Sequence, residues 1–295
     1  MSTSPKGFGS EMFTLVASIP SPSSNHLEIG PLNLRFYGLM IALGVLAAVW
    51  LSQRRWEARG GDREDIVSIA FVAVPAGLIG ARLYHVITDW KKFEGDWWGA
   101  LEVWNGGLGI PGGMLCGFLA GLWYVRWRNL PAKPLMDAIA PALPLAQAIG
   151  RFGNWFNQEL FGGPTDLPWG LEIDAQHRPV EHLDVETFHP TFLYESLWNL
   201  GLCGFLIWID RRRVLAPGKL IFVYVLGYGI GRLWVELMRI DPASEIFGVR
   251  VNVWVSLFAI AVSAIALAFG RRRDEVADEF TDLEALSSED DDMDS

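Results

Sequence analysis

An all-α polytopic membrane protein is the fold class this sequence predicts, and three observations predict it. Seven stretches of the 295-residue chain are long or apolar enough to cross a bilayer, at about 32–51, 66–86, 106–125, 135–149, 192–209, 220–238 and 251–269; a membrane helix needs roughly 17–25 such residues. Composition agrees, with 51% hydrophobic residues and 14 tryptophans. Basic residues, finally, gather after alternate spans, as cytoplasmic loops do. Arg54, Arg55, Arg59 and Arg63 follow the first, and Arg126, Arg128 and Lys133 the third. Arg211, Arg212, Arg213 and Lys219 follow the fifth, and Arg271, Arg272 and Arg273 the seventh.

Those groups hold fourteen of the 24 basic residues, and seven spans put all fourteen on one side. An even number would break the alternation. The expected orientation has residues 1–31 as an extracytoplasmic segment, seven helices within 32–270, and a cytoplasmic end. The N-terminus lacks a charged start followed by a long apolar run, so no cleaved signal peptide is expected. The fourth span is short and carries Pro141 and Pro144, which predicts a kinked or partly inserted helix. Between spans four and five, residues 162–190 hold Pro164, Asp166, Pro168, Asp174, His177, Arg178, Pro179, Glu181, His182 and Asp184. That segment is too long for a simple connector and is expected to form a small extracytoplasmic cap. Its two histidines have no ligand spacing, and no metal is expected.

The formal charge of −10 comes from one end of the chain. Residues 274–295 carry eleven acids and no Lys or Arg, so removing those eleven negative charges from −10 leaves +1 for the rest. The segment 271–295 reads as a solvated acidic tail. No basic patch points to nucleic acid. Cys116 and Cys203 both lie in apolar runs and read as small buried hydrophobes rather than a disulfide or metal pair.

Polar residues cluster at the outer ends of the spans: Arg35 and Tyr37, Arg82, Tyr84 and His85, His189, Tyr194 and Glu195, and then Tyr228, Arg232, Glu236, Arg239 and Asp241. Two groups stand out. The run 150–163, GRFGNWFNQELFGG, places Arg151, Asn154, Asn157 and Glu159 among aromatic residues directly after an apolar stretch. In the sixth span, Tyr228, Arg232 and Glu236 are spaced four apart and share one helical face. Snorkelling of Arg151 and a self-neutralising Arg232–Glu236 pair are the plain readings. They leave Asn154, Asn157 and Glu159 unexplained. Ionisable groups at bilayer depth usually pair or bind something, and two arginines suit a phosphate, which the planar guanidinium grips with two parallel N–H groups. At that depth the phosphate belongs to a phospholipid.

The same run resembles the signature of the bacterial prolipoprotein diacylglyceryl transferase family, G-R-x-G-N-x-x-N-x-E-x-x-G. It reads here as Gly150, Arg151, Gly153, Asn154, Asn157, Glu159 and Gly162. Further blocks agree in order: RFYGLM (35–40), GARLYHV (80–86), WNGGLGIPGG (104–113), HPTFLYE (189–195) and YGIGRLWVELMRID (228–241). The resemblance implies a seven-helix enzyme of the cell membrane, acting at the outer leaflet without a cofactor. It would move the diacylglyceryl group of phosphatidylglycerol onto the lipobox cysteine thiol of a prolipoprotein and release glycerol 1-phosphate. By position it implies phosphatidylglycerol binding by Arg151 and a critical role for Arg232, with Asn154, Glu159, Gly162, Tyr37 and Tyr228 matching family site residues. Asn157 is a candidate head-group ligand, Glu159 an orienter of an arginine, and Glu236 a candidate catalytic group. Where many members carry a histidine before the Gly-Gly of the third block, this chain has Pro111. Tyr37, Glu236, His189 and Tyr228 remain as alternative proton acceptors, as does ionisation of the substrate thiol beside the arginines. A lipid flippase would call for inverted repeats and charges reachable from both sides, and the sequence has no internal repeat. A scaffold that recruits partners by its tail leaves the outer cluster without purpose.

Overall fold

The computed structural model describes residues 18–30, 32–95, 97–102, 107 and 109–269. The acidic tail, the first 17 residues and residues 104–106 and 108 of the third motif block lie outside them. Helix dominates. Among the described residues, five helices are long and apolar enough to cross a membrane: α1 (Phe36–Glu57), α2 (Arg63–Thr88), α7 (Thr191–Arg211), α8 (Leu220–Met238) and α9 (Val251–Ala268). Their outward residues include large apolar ones such as Leu46, Phe71, Ile79, Leu237 and Phe258, which water would not tolerate in such numbers and lipid does. The chain is a multi-pass membrane protein.

The remaining helices depart from the expected runs for local reasons. Helix α3 (Ile110–Trp127) begins four residues later than expected, with Pro111 in its first turn, where a missing N–H costs nothing. The fourth run is two helices, α4 (Ala132–Ile139) and α5 (Ala142–Gly150), interrupted at Ala140 and Pro141. The proline ring cannot continue the preceding turn, so the anticipated kink is a full break. A six-residue helix, α6 (Phe152–Asn157), follows.

Three antiparallel hairpins are additions to the all-helical expectation: β1 (His26–Ile29) with β2 (Leu32–Arg35), β3 (Leu171–Glu172) with β4 (Thr187–Phe188), and β5 (Glu245–Ile246) with β6 (Val249–Arg250). Residues 32–35, assigned from sequence to the first span, therefore belong to a strand. The segment 162–190 has a core of its own, in which Phe161, Leu171, Ile173, Phe188 and Phe192 are buried together. Ile19 adds an edge to it by donating to the Gly170 carbonyl at 2.8 Å.

The described residues form two units. One comprises those up to Leu46 together with Leu143–Trp208 and Phe222–Phe269; the other comprises Ala47–Ala142 and Ile209–Ile221. In the second unit, α2 and α3 pack at backbone distance. A Cβ on Gly80 would fall 2.5 Å from the Gly112 carbonyl, and one on Gly112 2.3 Å from the Gly80 carbonyl. Small residues permit this approach, which is how membrane helices gain dispersion energy without a hydrophobic driving force. Trp56, Ile66, Val125, Leu135 and Ala138 form the buried cluster of that unit. Cys116 and Cys203 are not joined in a disulfide.

Candidate active site

The first unit gathers its ionisable side chains at the ends of α5, α7, α8 and β6. The gathering begins in the run after α5, where the backbone reverses sharply. Gln158 (φ 51) and Leu160 (φ 60) both adopt the left-handed conformation, which costs a non-glycine residue on the order of 1–3 kcal/mol. The fold holds that strain with a bidentate clamp. Gln158 Nε2 donates to Asp174 Oδ2 at 2.6 Å, and the Asp174 N–H donates to Gln158 Oε1 at 2.8 Å. The reversal brings Glu159 back over α6, where its Oε1 accepts from Asn154 Nδ2 at 2.8 Å and Asn157 Nδ2 at 3.2 Å. Glu159 thus orients two amides, one of which, Asn154, contacts Arg151 at 3.4 Å.

Gly162 and Gly163 tie this run to both neighbouring helices. Their N–H groups donate to the carbonyls of His189 at 3.0 Å and Met238 at 3.1 Å. A Cβ on Gly162 would sit 2.8 Å from His189 Cβ and 3.1 Å from the Met238 carbonyl. Close packing therefore accounts for Gly162, which sequence had placed among the ligands. Gly153 has a similar origin: Tyr37 lies so close that a Cβ there would meet its ring at 2.6 Å. The Tyr37 hydroxyl is near enough to Glu159 and Arg151 to feel both charges.

The centre of the site is a carboxylate from α7. Glu195 Oε2 lies 2.6 Å from Arg151 Nε and its Oε1 3.2 Å from an Arg232 terminal nitrogen. Its side chain is only 6% exposed, against 19% for Arg151 and 15% for Arg232. One carboxylate thus holds the two arginines that the sequence singles out, from segments far apart in the chain. The second terminal nitrogen of Arg232 reaches Glu236 at 2.7 Å, as the spacing of four predicts.

Glu236 is fully buried, and its two oxygens are filled. Oε1 accepts from Arg250 Nε at 2.7 Å and Asn252 Nδ2 at 3.2 Å, while Oε2 takes Arg232 and, at 3.4 Å, Arg239. Glu236 thereby orients Arg232, whose terminal nitrogen its second oxygen holds at 2.7 Å. Outside α8, Asp241 accepts both Arg239 Nε and a terminal nitrogen at 2.7 Å and a third contact from Arg250 at 3.1 Å. Burial alone would raise the Asp241 carboxyl, but the hydrogen bonds and charges of Arg239 and Arg250 outweigh it and hold the group below its ordinary value. Burial likewise disfavours the charged form of Arg239, and Asp241 and Glu236 more than restore it.

The cluster therefore sets four guanidinium groups (Arg151, Arg232, Arg239, Arg250) against three carboxylates (Glu195, Glu236, Asp241). Glu159, joined to Arg151 through Asn154, lies at the edge of the same cluster. Arg239 and Arg250 are spent on Glu236, Asp241 and, for Arg250, the carbonyls of Arg239 and Asp241. Arg151 adds one long contact to Asn154 at 3.4 Å, and among the described residues both it and Arg232 retain N–H groups that no protein atom accepts. Such a pair, partly desolvated and held on one anchor, is built to receive an anion.

Other expected residues sit around it or apart. Tyr228 stacks on Tyr224 at 5.9 Å between ring centres, one turn before Arg232. His189 Nδ1 is 3.2 Å from the Tyr194 hydroxyl, which also accepts from Trp169 Nε1 at 3.1 Å. In the second unit, Arg82 donates to the carbonyls of Gly99, Ala100 and Gly107 at 2.7, 2.8 and 3.0 Å, and His85 lies 3.2 Å from Asp89. Sequence reasoning did not single out Glu195 as the central anchor, nor Arg250. An acid inside an apolar span was the available signal for Glu195; Arg250, in a hairpin after α8, offers none.

A family model described as prolipoprotein diacylglyceryl transferase matches residues 24–269. A Streptomyces coelicolor protein named phosphatidylglycerol–prolipoprotein diacylglyceryl transferase 2 is 47% identical over 261 residues, 88% of this chain and 82% of its own length. Proteins named phosphatidylglycerol–prolipoprotein diacylglyceryl transferase are 45% identical in Corynebacterium efficiens (94% of this chain, 90% of that protein) and 46% identical in Cutibacterium acnes (91% and 92%).

Proposed function

The chain belongs to the prolipoprotein diacylglyceryl transferase family, and from that premise we propose how its residues carry out the transfer. The protein is a transferase that moves the diacylglyceryl group of phosphatidylglycerol to a prolipoprotein. The acceptor is the thiol of the lipobox cysteine. Its thiolate attacks the glyceryl carbon bonded to the phosphate oxygen; the carbon–oxygen bond breaks, a thioether forms, and glycerol 1-phosphate leaves with the bonding electrons. The thiol gives up its proton first, because the thiolate is the nucleophile.

Charge moves from sulfur to the departing phosphate, so catalysis calls for fixed positive groups around that phosphate. Arg151 and Arg232 are those groups. The observation that carries the reading is Glu195, whose two oxygens hold both guanidiniums at one buried point. Glu236 sets Arg232, and Tyr37 and Tyr228 line the site. Asn154 and Asn157, oriented by Glu159, face the glycerol head group. Gly162 keeps the run 150–163 in contact with α7 and α8.

Seven membrane passes follow if α3 and the broken pair α4–α5 join the five long helices. The alternation of basic residues then puts the N-terminus and the segment 162–190 outside as a cap, and the acidic tail in the cytoplasm. The site thereby faces the outer leaflet of the cell membrane.

The direct test is reconstitution with phosphatidylglycerol and a lipobox peptide, following the thioether product. Arg151→Ala and Arg232→Ala are each expected to lower turnover at least ~10³-fold with the fold retained, the scale of losing a preorganised charge at a developing anion. Full activity in both variants would remove the phosphate clamp. A wild-type protein that makes no product, beside an active relative, would remove the assignment itself.

A further inference from the structure

Helices α8 and α9, both long and apolar enough to cross the membrane, are joined beside the arginine cluster by the β5–β6 hairpin. Ile246 pairs with Val249, so Phe247 and Gly248 form a two-residue turn. Both are left-handed, with φ of 55° and 72°. Hairpin turns with both central φ values positive favour Asn-Gly, because a short polar side chain tolerates this conformation and a bulky one does not. Gly248 fits that rule. Phe247 breaks it, and it is 94% exposed, so no protein contact offsets the strain.

The rest of the hairpin is tightly held. The Val251 N–H donates to the Ser244 carbonyl at 2.9 Å and closes its base. Arg250, which ends β6, donates to Glu236 Oε1 at 2.7 Å and to the carbonyls of Arg239 and Asp241. Trp254 Nε1 donates to the Ile246 carbonyl at 3.2 Å. Because Trp254 lies in the first turn of α9, this bond keeps the tip beside the point where α9 enters the bilayer. Apolar surface is continuous there. Ile246 meets Trp254, and the outward residues Trp254, Phe258 and Val262, spaced four apart, run along one stripe of α9. The tip 246–249, Ile-Phe-Gly-Val, carries no charge.

We propose that Phe247 is an anchor in the membrane interface: the hairpin tip inserts this side chain among the lipid head groups and upper acyl chains next to α9. Aromatic side chains gather at that depth, where an exposed ring no longer faces water. An Asn at this turn position would relax the backbone but gain nothing from lipid. Insertion therefore accounts for a strained residue that no part of the protein covers. The occupant is the bilayer rather than another protein, because the tip continues the face by which α9 meets lipid. Nothing in this contact depends on the transfer chemistry.

The test places a nitroxide spin label on Phe247→Cys in the full chain, with Cys116→Ala and Cys203→Ala, in bilayer discs of phosphatidylcholine and phosphatidylglycerol. Collisions with oxygen, which enters lipid, are compared with collisions with a polar nickel chelate, which does not. The oxygen-to-nickel ratio at Phe247 is expected to lie at least ~3-fold above that of a label on Glu64→Cys, since hydrocarbon excludes polar solutes. Glu64 is exposed in the first turn of α2, and a label on Phe258→Cys marks the lipid limit. With Phe247→Asp present, the ratio of a label on Ile246→Cys is expected to fall at least ~3-fold, because a carboxylate withdraws the tip to water. A ratio at Phe247 equal to that at Glu64, or no fall at Ile246, overturns the anchor. So does protection of the Phe247 label from both reagents, alone or with added lipobox peptide, which would put protein at the tip.

Discussion

Among the described residues, two clusters bring arginines against buried or half-buried carboxylates, one in each unit, and they are built for different ends. In the second unit, Arg55 and Arg59 converge on Asp210 at 3.1 and 2.7 Å. Arg55 also donates to the carbonyls of Asp137 and Ala138, both at 3.0 Å, and Arg59 to that of Arg55. Asp137 accepts the backbone N–H groups of Gly218 and Leu220 at 2.7 and 3.0 Å. Two arginines share one carboxylate, and much of the remaining hydrogen bonding ends on backbone, so this cluster staples chain segments. In the first unit Arg151 and Arg232 end on side chains alone. The difference teaches how to separate a binding cluster from a staple in one membrane protein. The count of salt bridges does not do it; the identity of the acceptors does.

The comparison breaks most visibly at the two anchoring acids. Glu195→Gln removes the charge shared by Arg151 and Arg232, leaves both less fixed, and is expected to lower kcat per folded molecule by about 10²-fold. That figure is the scale of losing a positioned electrostatic group. Asp210→Asn is expected to do the reverse, lowering the thermal midpoint by several degrees while turnover per folded molecule stays within about twofold, since breaking a partly buried pair strands its partners. Should Asp210→Asn abolish turnover in folded protein, the distinction between staple and site would fail.

Backbone contacts give an intermediate effect. Gly162→Ala introduces a methyl 2.8 Å from His189 Cβ and 3.1 Å from the Met238 carbonyl. The strain is expected to cost about 1–3 kcal/mol and to lower both stability and activity, read by thermal unfolding alongside the transfer assay. A fully stable Gly162→Ala with lost activity would return this residue to direct ligand contact.

The smallest effect concerns pH. Asp241 has its folded-state pKa below the ordinary 3.8, so its stabilisation is complete above that value and is lost as pH falls through the lower folded one. Thermal midpoints measured from pH 6 down to pH 3 should fall in the wild type and fall less steeply in Asp241→Asn. Equal slopes would mean that Asp241 is not the coupled acid.

Local pattern determined a good part of this protein. The apolar runs located the five long helices to within a few residues at most of their ends, and for α8 the bounds coincide. Prolines marked the break between α4 and α5. The spacing of four put Arg232 and Glu236 in contact, and the run 150–163 identified Arg151, Asn154, Asn157 and Glu159 as one polar group. These features follow from the periodicity of helices and from what lipid excludes, both of which act over neighbouring residues. Tertiary structure alone decided that Glu195 is the common anchor of Arg151 and Arg232, that Glu159 serves amides, and that Arg250 and Asn252 close the back of Glu236. Each of those contacts joins distant segments or depends on a backbone reversal at Gln158 and Leu160 that no propensity favours. A buried charge takes whichever counter-charge the packing of the helices delivers, and sequence spacing does not encode that choice.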